Sequence, residues 1–453
     1  MKLYFELPHW LSDKRARAKT LWIFIFVLNL GALLYIWYNG SSHYYLTNPE
    51  AGNLYIAIGR LIGLLTQYTL IIQVLLIGRI SFIEQAFGFD KMNRIHRLIG
   101  EWIIVFLVAH PVLLTLGNAT ANKYSLWDQF TSFLTTWEDV FLAFIGSIVF
   151  IFVAGISYAI VRKKLRYELW YFLHLLTYVA LVLVFFHEIN SGDLTKPAYL
   201  YYWYALNFIT FAFVILYRFI KPLWNVLRFQ FKVMHVTLET KDTFSVYITG
   251  KNIAKFKYKA GQYANITFMQ KGLWFTHPFS FSVEHNDTYI RFTMKALGDY
   301  TKKLGELKVG TRVILDGPLG LFIEETTQNK KLLFIAGGIG ITPIRAMIGD
   351  IMRRKADIIL IYAAHTVEDI AFRKEFDLFQ EKQPFPIHYI IATPTEGYES
   401  GFLDREKLVR FVTDFFERDV FLCGPPPMMA ATVTNLKGLG FKNLNLHYEM
   451  FSF

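Results

Sequence analysis

Cysteine is all but missing: the chain has 453 residues and a single one, Cys423. That excludes an internal disulfide framework, a cysteine-ligated iron–sulfur cluster and a cysteine zinc site. Charge is sparse as well. Asp, Glu, Lys and Arg make up 18% of the residues against 54% hydrophobic and 17% aromatic, with a mean hydropathy of +0.31. Soluble domains carry about a quarter charged residues, so the composition points to a membrane protein with a water-facing part. Acidic residues are the scarcer sign, leaving a net charge of +11. Such an excess fits nucleic acid or an anionic membrane face. Here much of the basic charge flanks apolar segments, which selects the membrane and excludes nucleic acid as the partner.

Six apolar runs are present, at roughly 21–38, 54–77, 93–116, 138–161, 168–187 and 198–220. Each is near or above the ~20 residues a helix needs to cross hydrocarbon. The first follows a basic stretch but lacks a small-residue cleavage site, so it reads as a span and not a signal peptide. The organisation expected is a segment 1–20, a membrane domain 21–220, a barrel domain 221–325 and a nucleotide-binding domain 326–453. No internal repeat or low-complexity tract interrupts it. "DKRARAK", the Arg79–Arg97 connection, "VRKKLR" at 161–166 and the exit at Arg218 and Lys221 are basic. The alternate loops hold only Lys123 and Lys196. Positive charge stays inside, so both termini and the water-facing half are expected in the cytoplasm of a multi-pass cell-membrane protein.

Ionisable groups in hydrocarbon are costly and mark function by default. The third run, "HRLIGEWIIVFLVAH", has His96 and His110 at its ends, and the fifth, "HLLTYVALVLVFFH", has His174 and His187. Both runs cross in the same direction, so the histidines pair by depth: His96 with His174 near the inner face, His110 with His187 near the outer. The two levels lie about 20 Å apart. Two facing imidazoles per level suit axial ligation of a haem iron. One buried histidine alone is more often a hydrogen-bonded core residue. Zinc at each level lacks further ligands, and a proton relay needs acids, of which Glu101 is the obvious one. On an ideal helix His187 falls about 140° from His174, so the fifth run has to kink or rewind. Arg60, in the second run, needs an anion or a watery pocket. It either snorkels to the outer interface or meets a haem propionate or an anionic reduction product.

Beyond residue 220, "FKVMHVTLET", "TFSVYITG", "QYANITFM", "PFSFSV", "YIRFTMKA" and "RVILDGPLG" alternate as strands of a small antiparallel barrel. "KKLLFIAGGIGITPIRAMIGDIMRRK" then reads as strand, glycine turn and helix. Gly337, Gly338 and Gly340 permit close approach of a phosphate, Thr342 caps the helix and Pro343 fits its first turn. "DIILIYAAH" and "DVFLCGPPPMM" continue a doubly wound α/β domain.

Taken in order, "GQY", "HPFSFS", "KALGDYT", "DGPLG", "AGGIGITP" and "CGPPPM" resemble the ferredoxin–NADP reductase superfamily. With the histidine pairs before them, the chain resembles the NADPH oxidase and ferric reductase family of transmembrane flavocytochromes, from about residue 20 onward. That resemblance implies FAD, two haem b groups and NADPH or NADH. It places Gln262, Tyr263, His277, Pro278, Phe279, Ser280 and Ser282 around the flavin, with Phe279 packed on the ring and Ser280 near N5. Lys295, Gly298, Tyr300 and Thr301 resemble a pyrophosphate-binding segment. Cys423, Gly424 and Pro425 fall beside the nicotinamide, Phe453 resembles an aromatic cover for the flavin, and Glu449 supports hydride transfer. Where relatives often carry an arginine for the 2′-phosphate, this chain has His365; Arg373 substitutes only if its helix turns toward the site.

The function expected is transfer of electrons from cytosolic NAD(P)H through FAD and two haems to an acceptor outside, dioxygen giving superoxide. A ferric or cupric chelate is the alternative acceptor. A haem subunit relaying electrons to a partner or to quinone is the rival class. With about 20 residues before the first span, no regulatory module is expected there, and no regulatory subunit is evident.

Overall fold

The computed structural model of the chain describes residues 14–48, 50–158, 164–190, 192–194, 196–327, 329–354, 356–441 and 445–448. Most of the 1–20 segment, Val161 to Lys163 of the basic connection, Glu449 and Phe453 lie outside the described residues. Two compact units divide the chain, Met1–Arg218 and Phe219–Phe453.

In the first unit, six helices are long and apolar enough to cross a membrane: Arg15–Thr47, Asn53–Ile77, Phe89–Asn122, Val140–Ser157, Leu169–Ile189 and Pro197–Phe229, the last running on past the unit boundary. This is a multi-pass membrane protein. Its helices turn large apolar side chains outward, Phe24 and Phe208 among them, as helices solvated by lipid do. Without a hydrophobic drive between helices, close packing depends on small residues. A Cβ on Gly117 of the third span would stand 2.6 Å from Ile56 of the second, and one on Gly146 of the fourth 2.8 Å from Val184 of the fifth.

Span five does not run through. A first helix, Tyr167–His174, ends at the histidine, and a second, Leu176–Asn190, restarts beyond Leu175. The Tyr178 amide bonds the Leu175 carbonyl at 3.0 Å, three residues back. That is one tighter-wound step at the break between the two helices, about 20° of the roughly 140° that the 13-residue histidine spacing calls for.

The second unit holds two lobes. Strands β1 (Lys232–Thr240), β2 (Thr243–Thr249) and β5 (Ile290–Lys295) form one antiparallel sheet; β3 (Tyr263–Phe268), β4 (His277–Ser280) and β6 (Val313–Leu319) form another. All six expected strands are present, but the barrel is not closed. Among the described residues isolated bridges, Lys232 to Arg312 and Phe281 to Phe292, and a few neighbouring backbone hydrogen bonds join the sheets, around a core that includes Phe231, Phe268, Phe281 and Phe292. The other lobe is a six-stranded sheet in the order β10-β9-β8-β7-β11-β12, parallel throughout. Its strands are β7 (Lys331–Gly337), β8 (Asp357–Ala364), β9 (Ile387–Ile391), β10 (Glu399–Ser400), β11 (Asp419–Cys423) and β12 (Leu446–Tyr448). Strands as apolar as "KLLFIAG" are legible as parallel because both faces are covered. Helices α1 (Ile341–Ile351), α2 (Arg373–Lys382) and α3 (Pro426–Gly438) pack against it.

Candidate functional site

The histidines meet as two pairs. The His96 and His174 rings are 6.3 Å apart between centres and tilted by 58°; His110 and His187 are 6.4 Å apart at 56°. A metal between two imidazoles needs two bonds of about 2 Å plus about 1 Å from each nitrogen to its ring centre, about 6 Å in all. Both levels have that spacing. Among the described residues no group of three or more His, Cys, Asp or Glu could hold a metal ion. A metal here must bring its remaining ligands with it, as a porphyrin does.

Hydrogen bonds assign the tautomer of three of the four rings. Ser157 Oγ donates its one proton to the Val153 carbonyl at 2.7 Å, so at 3.1 Å it accepts from His174 Nδ1. His110 Nδ1 donates to the Gly59 carbonyl at 2.8 Å, and His187 Nδ1 to the Val184 carbonyl. With Nδ1 protonated, Nε2 carries the lone pair a metal takes. His96 Nδ1 is buried with no hydrogen-bond partner; its backbone carbonyl accepts from Gln73 at 2.8 Å. Trp170 joins the His174 level, donating to Ser157 at 3.1 Å with its ring 5.0 Å from the imidazole. Gly63 leaves room for His110: a Cβ there would stand 2.5 Å from Cε1.

Arg60 does not wait for an incoming anion. Its Nη1 is 3.3 Å from Asp193 Oδ1, bonds Ser41 Oγ, and its guanidinium lies 5.0 Å from the Tyr45 ring centre. The Asp193 side chain is fully buried and also accepts from the Ser41 amide at 3.0 Å. Glu101 is exposed; the acid beside a histidine is Glu188, which accepts from Trp203 Nε1 at 2.9 Å.

In the split barrel, His277 packs on Tyr300 at 4.0 Å between ring centres, with Phe279 6.4 Å from His277. The Tyr300 hydroxyl is buried without a partner, and burial pushes its pKa up; a hydroxyl so placed suits a ligand acceptor. Tyr263 and Pro278 lie on the same paired strands, with Tyr263 opposite Ser280. Other expected contacts have local employment. Gln262 accepts from the Lys259 amide at 2.9 Å and Lys295 pairs with Asp242 at 3.4 Å. Thr301 accepts from the Leu297 and Gly298 amides, each at 3.0 Å. Ser282, expected at the flavin, is fully buried and holds Arg291 Nε at 3.0 Å and Thr293 at 2.9 Å.

The parallel sheet reverses its winding between β7 and β11, the switch point at which such sheets bind ligands. There the turns meet backbone to backbone. A Cβ on Gly340 would stand 2.4 Å from the Cys423 carbonyl, and one on Gly424 3.1 Å from Gly337. Gly338 adopts φ +51°, and the α1 N-terminus follows with Thr342 and Pro343. Thr342 Oγ1 bonds the Ile339 carbonyl at 2.7 Å. Cys423 is buried as it closes β11 and Pro425 precedes α3. Past β8, His365 is exposed and Arg373 lies 5.9 and 5.6 Å from the Tyr389 and Tyr398 ring centres.

Three family descriptions match in succession: "Ferric reductase like transmembrane component" over residues 62–185, "FAD-binding domain" over 228–322 and "Oxidoreductase NAD-binding domain" over 334–434. The architecture is ferric reductase/NADPH oxidase-like. The ferric-reductase-like component contains His96, His110 and His174 and stops just short of His187; the FAD-binding match contains "HPFS" and the NAD-binding match both switch-point turns. A glycine betaine monooxygenase reductase subunit of Chromohalobacter salexigens is 28% identical over 50% of this chain and 65% of its own length. An NADH-cytochrome b5 reductase 1 of Scheffersomyces stipitis is 37% identical over 32% of this chain and 54% of its own. A flavohemoprotein of Oceanobacillus iheyensis is 26% identical over 50% and 60%. The chain spans between about half and two thirds of the length of these curated relatives. Among solved structures, the FAD/NAD-binding domain of a nitric oxide dioxygenase from Vibrio cholerae has a TM-score of 0.45 at 22% identity, over 49% of this chain and 97% of that one.

Sequence reading missed the supporting residues Ser157, Trp170, Glu188 and Asp193. Ser157 and Trp170 carry no signal apart from what they touch. Glu188, directly after His187, was open to notice as a carboxyl at the end of an apolar run.

Proposed function

We propose that this chain moves electrons across the membrane, from NAD(P)H through FAD and two b-type haems to dioxygen on the far side, which is reduced to superoxide. The observation carrying the proposal is the two histidine pairs, each with metal-bridging separation, in a chain that also has FAD- and NAD-binding domains. When bound, the nicotinamide supplies a hydride, FAD takes up both electrons and parts with them singly, and haem iron carries one at a time.

His96 and His174 hold the inner haem, His110 and His187 the outer. Ser157 and the Gly59 and Val184 carbonyls orient those rings and fix the nitrogen offered to iron. His277, Phe279, Ser280 and Tyr300 take the flavin. Gly337 to Pro343 present backbone amides at a helix N-terminus to the dinucleotide pyrophosphate, and Cys423 to Pro425 wall the nicotinamide. The basic connections support, by the positive-inside rule, a cytoplasmic dehydrogenase and cytoplasmic termini. Asp193 already neutralises Arg60, which fits an uncharged acceptor such as dioxygen better than an anionic chelate. After β8 comes the exposed His365 and then a short turn with Glu368 and Asp369, and Arg373 is engaged by two tyrosines, so NADH is the preferred donor.

An absorption spectrum of the purified protein tests the reading. Oxidised haem and flavin bands should be present, and NADH should reduce both. With ferric chelate withheld, superoxide should form at the rate NADH is consumed. A preparation without a Soret band ends the haem assignment; iron(II) formation without superoxide reassigns the acceptor.

A further inference from the structure

Four charged side chains tie the split barrel to the α/β lobe. Arg291 on β5 is 3% exposed. Its Nη1 and Nη2 reach both carboxylate oxygens of Glu375, in the first turn of α2, the second contact at 3.2 Å. Arg345 on α1 bonds the same carboxylate and reaches back to Glu284, just beyond β4, at 2.6 Å. Gly349, one turn further along α1, makes room for that contact: a Cβ there would stand 2.4 Å from Glu284 Oε2. The guanidiniums are walled by rings, Arg291 by Phe372 at 4.8 Å and Arg345 by Phe379 at 5.0 Å. Burial by itself lifts the Glu375 pKa, but hydrogen bonds and charge from the two arginines outweigh it and hold the carboxyl below its ordinary range.

Arginine in a fork with carboxylate is directional, and two forks sharing one carboxylate resist rotation as well as separation. The elements joined are the ones that matter for geometry. Helix α1 starts at the glycine turn that would receive the nucleotide, and β4 and β5 belong to the lobe that would hold the flavin.

We infer that Arg291, Glu375, Arg345 and Glu284 form a clamp of positioning residues that fixes the angle between the two lobes and so aligns nicotinamide with flavin. This rests on the NAD(P)H-to-FAD reading above. The step served breaks a C–H bond of the reduced nicotinamide and delivers the hydride, with both electrons, to the flavin; the donor is oxidised as the flavin is reduced. None of the four needs to touch either cofactor. A misalignment of about 1 Å is enough to slow such a transfer about a hundredfold.

The test uses the full-length protein in detergent, with spin labels on cysteines at Lys251 and Lys382, both exposed and one in each lobe. Glu375→Gln should lower the limiting rate of flavin reduction by NADH about tenfold or more, with FAD content and nucleotide half-saturation little changed. It should also broaden the label-to-label distance distribution, and Glu375→Asp should recover most of both. Glu284→Gln, which removes the Glu284 pairs with Arg345 and Arg353 and leaves the Glu375 forks, should slow reduction less but in the same direction, and it serves if Glu375→Gln fails to fold. A wild-type limiting rate in either well-folded Gln variant overturns the clamp, as does an unbroadened distribution. If wild-type protein itself is not reduced by NADH although dithionite reduces its flavin, the donor reading fails and not the clamp.

Discussion

The two units solve the placement of polar groups under opposite rules. In the membrane unit an imidazole is expensive, so four of them, two on the third span and two on the fifth, stand out against apolar surroundings. Three of them are held by a carbonyl or a hydroxyl, and each faces its level partner. In the water-facing unit charges are ordinary, and nothing in the sequence separates Arg291 or Glu375 from the other Arg and Glu residues of that half. Function is therefore written in rare residues where the solvent is lipid. Where it is water, function depends on which common residues the fold brings together.

The largest effect should come from the membrane side of that contrast. His174→Leu should remove the inner low-spin haem signal and slow delivery of electrons to the far side about a hundredfold or more, while NADH still reduces the flavin. Separate spectra of flavin and haem check it. A six-coordinate inner haem surviving in this variant would sink the pairing by depth. Next, Gly63→Val places atoms where the His110 ring sits. The outer haem should be lost or become labile, with electron delivery down about tenfold and the inner signal kept; a pyridine haemochrome count per chain and redox titration measure this. Equal loss at both levels would show that the pairs are not independent. The smallest change belongs to the water-facing side. His365→Arg should raise kcat/KM for NADPH about tenfold, about 1.4 kcal/mol, while NADH changes little. Unchanged discrimination would put the adenosine ribose somewhere other than the end of β8.

Much of the architecture was legible in one dimension. Spans show as apolar runs of crossing length, six strands show as alternation, and the turn at Gly337 to Gly340 shows as glycine between an apolar strand and an amphipathic helix. Errors fell where local pattern is blind to partners. The small antiparallel barrel was expected and is present in all but closure; alternation says which face of a strand is buried and not whether the last strand meets the first. Arg60 was expected either to snorkel to the outer interface or to meet an anion, and Asp193 and Ser41, distant in sequence, hold it. Ser282 sits in a motif that resembles a flavin site, yet its hydroxyl anchors Arg291.

What the sequence by itself determined was the list of chemical capacities and the axis along which they lie. Residue spacing converts directly to depth and angle in a helix, so two histidine levels followed from counting at about 1.5 Å per residue and one expected kink from counting at about 100° per residue. Only the tertiary structure decided which nitrogen is protonated in three of the four rings, which arginine already faces a carboxylate, and which charged side chains link the two lobes. Those depend on contacts between residues far apart in the chain, such as Ser41 with Asp193 or Arg291 with Glu375. Hydrogen bonds and ion pairs act over a few ångströms, and no local pattern records which distant groups will come that close.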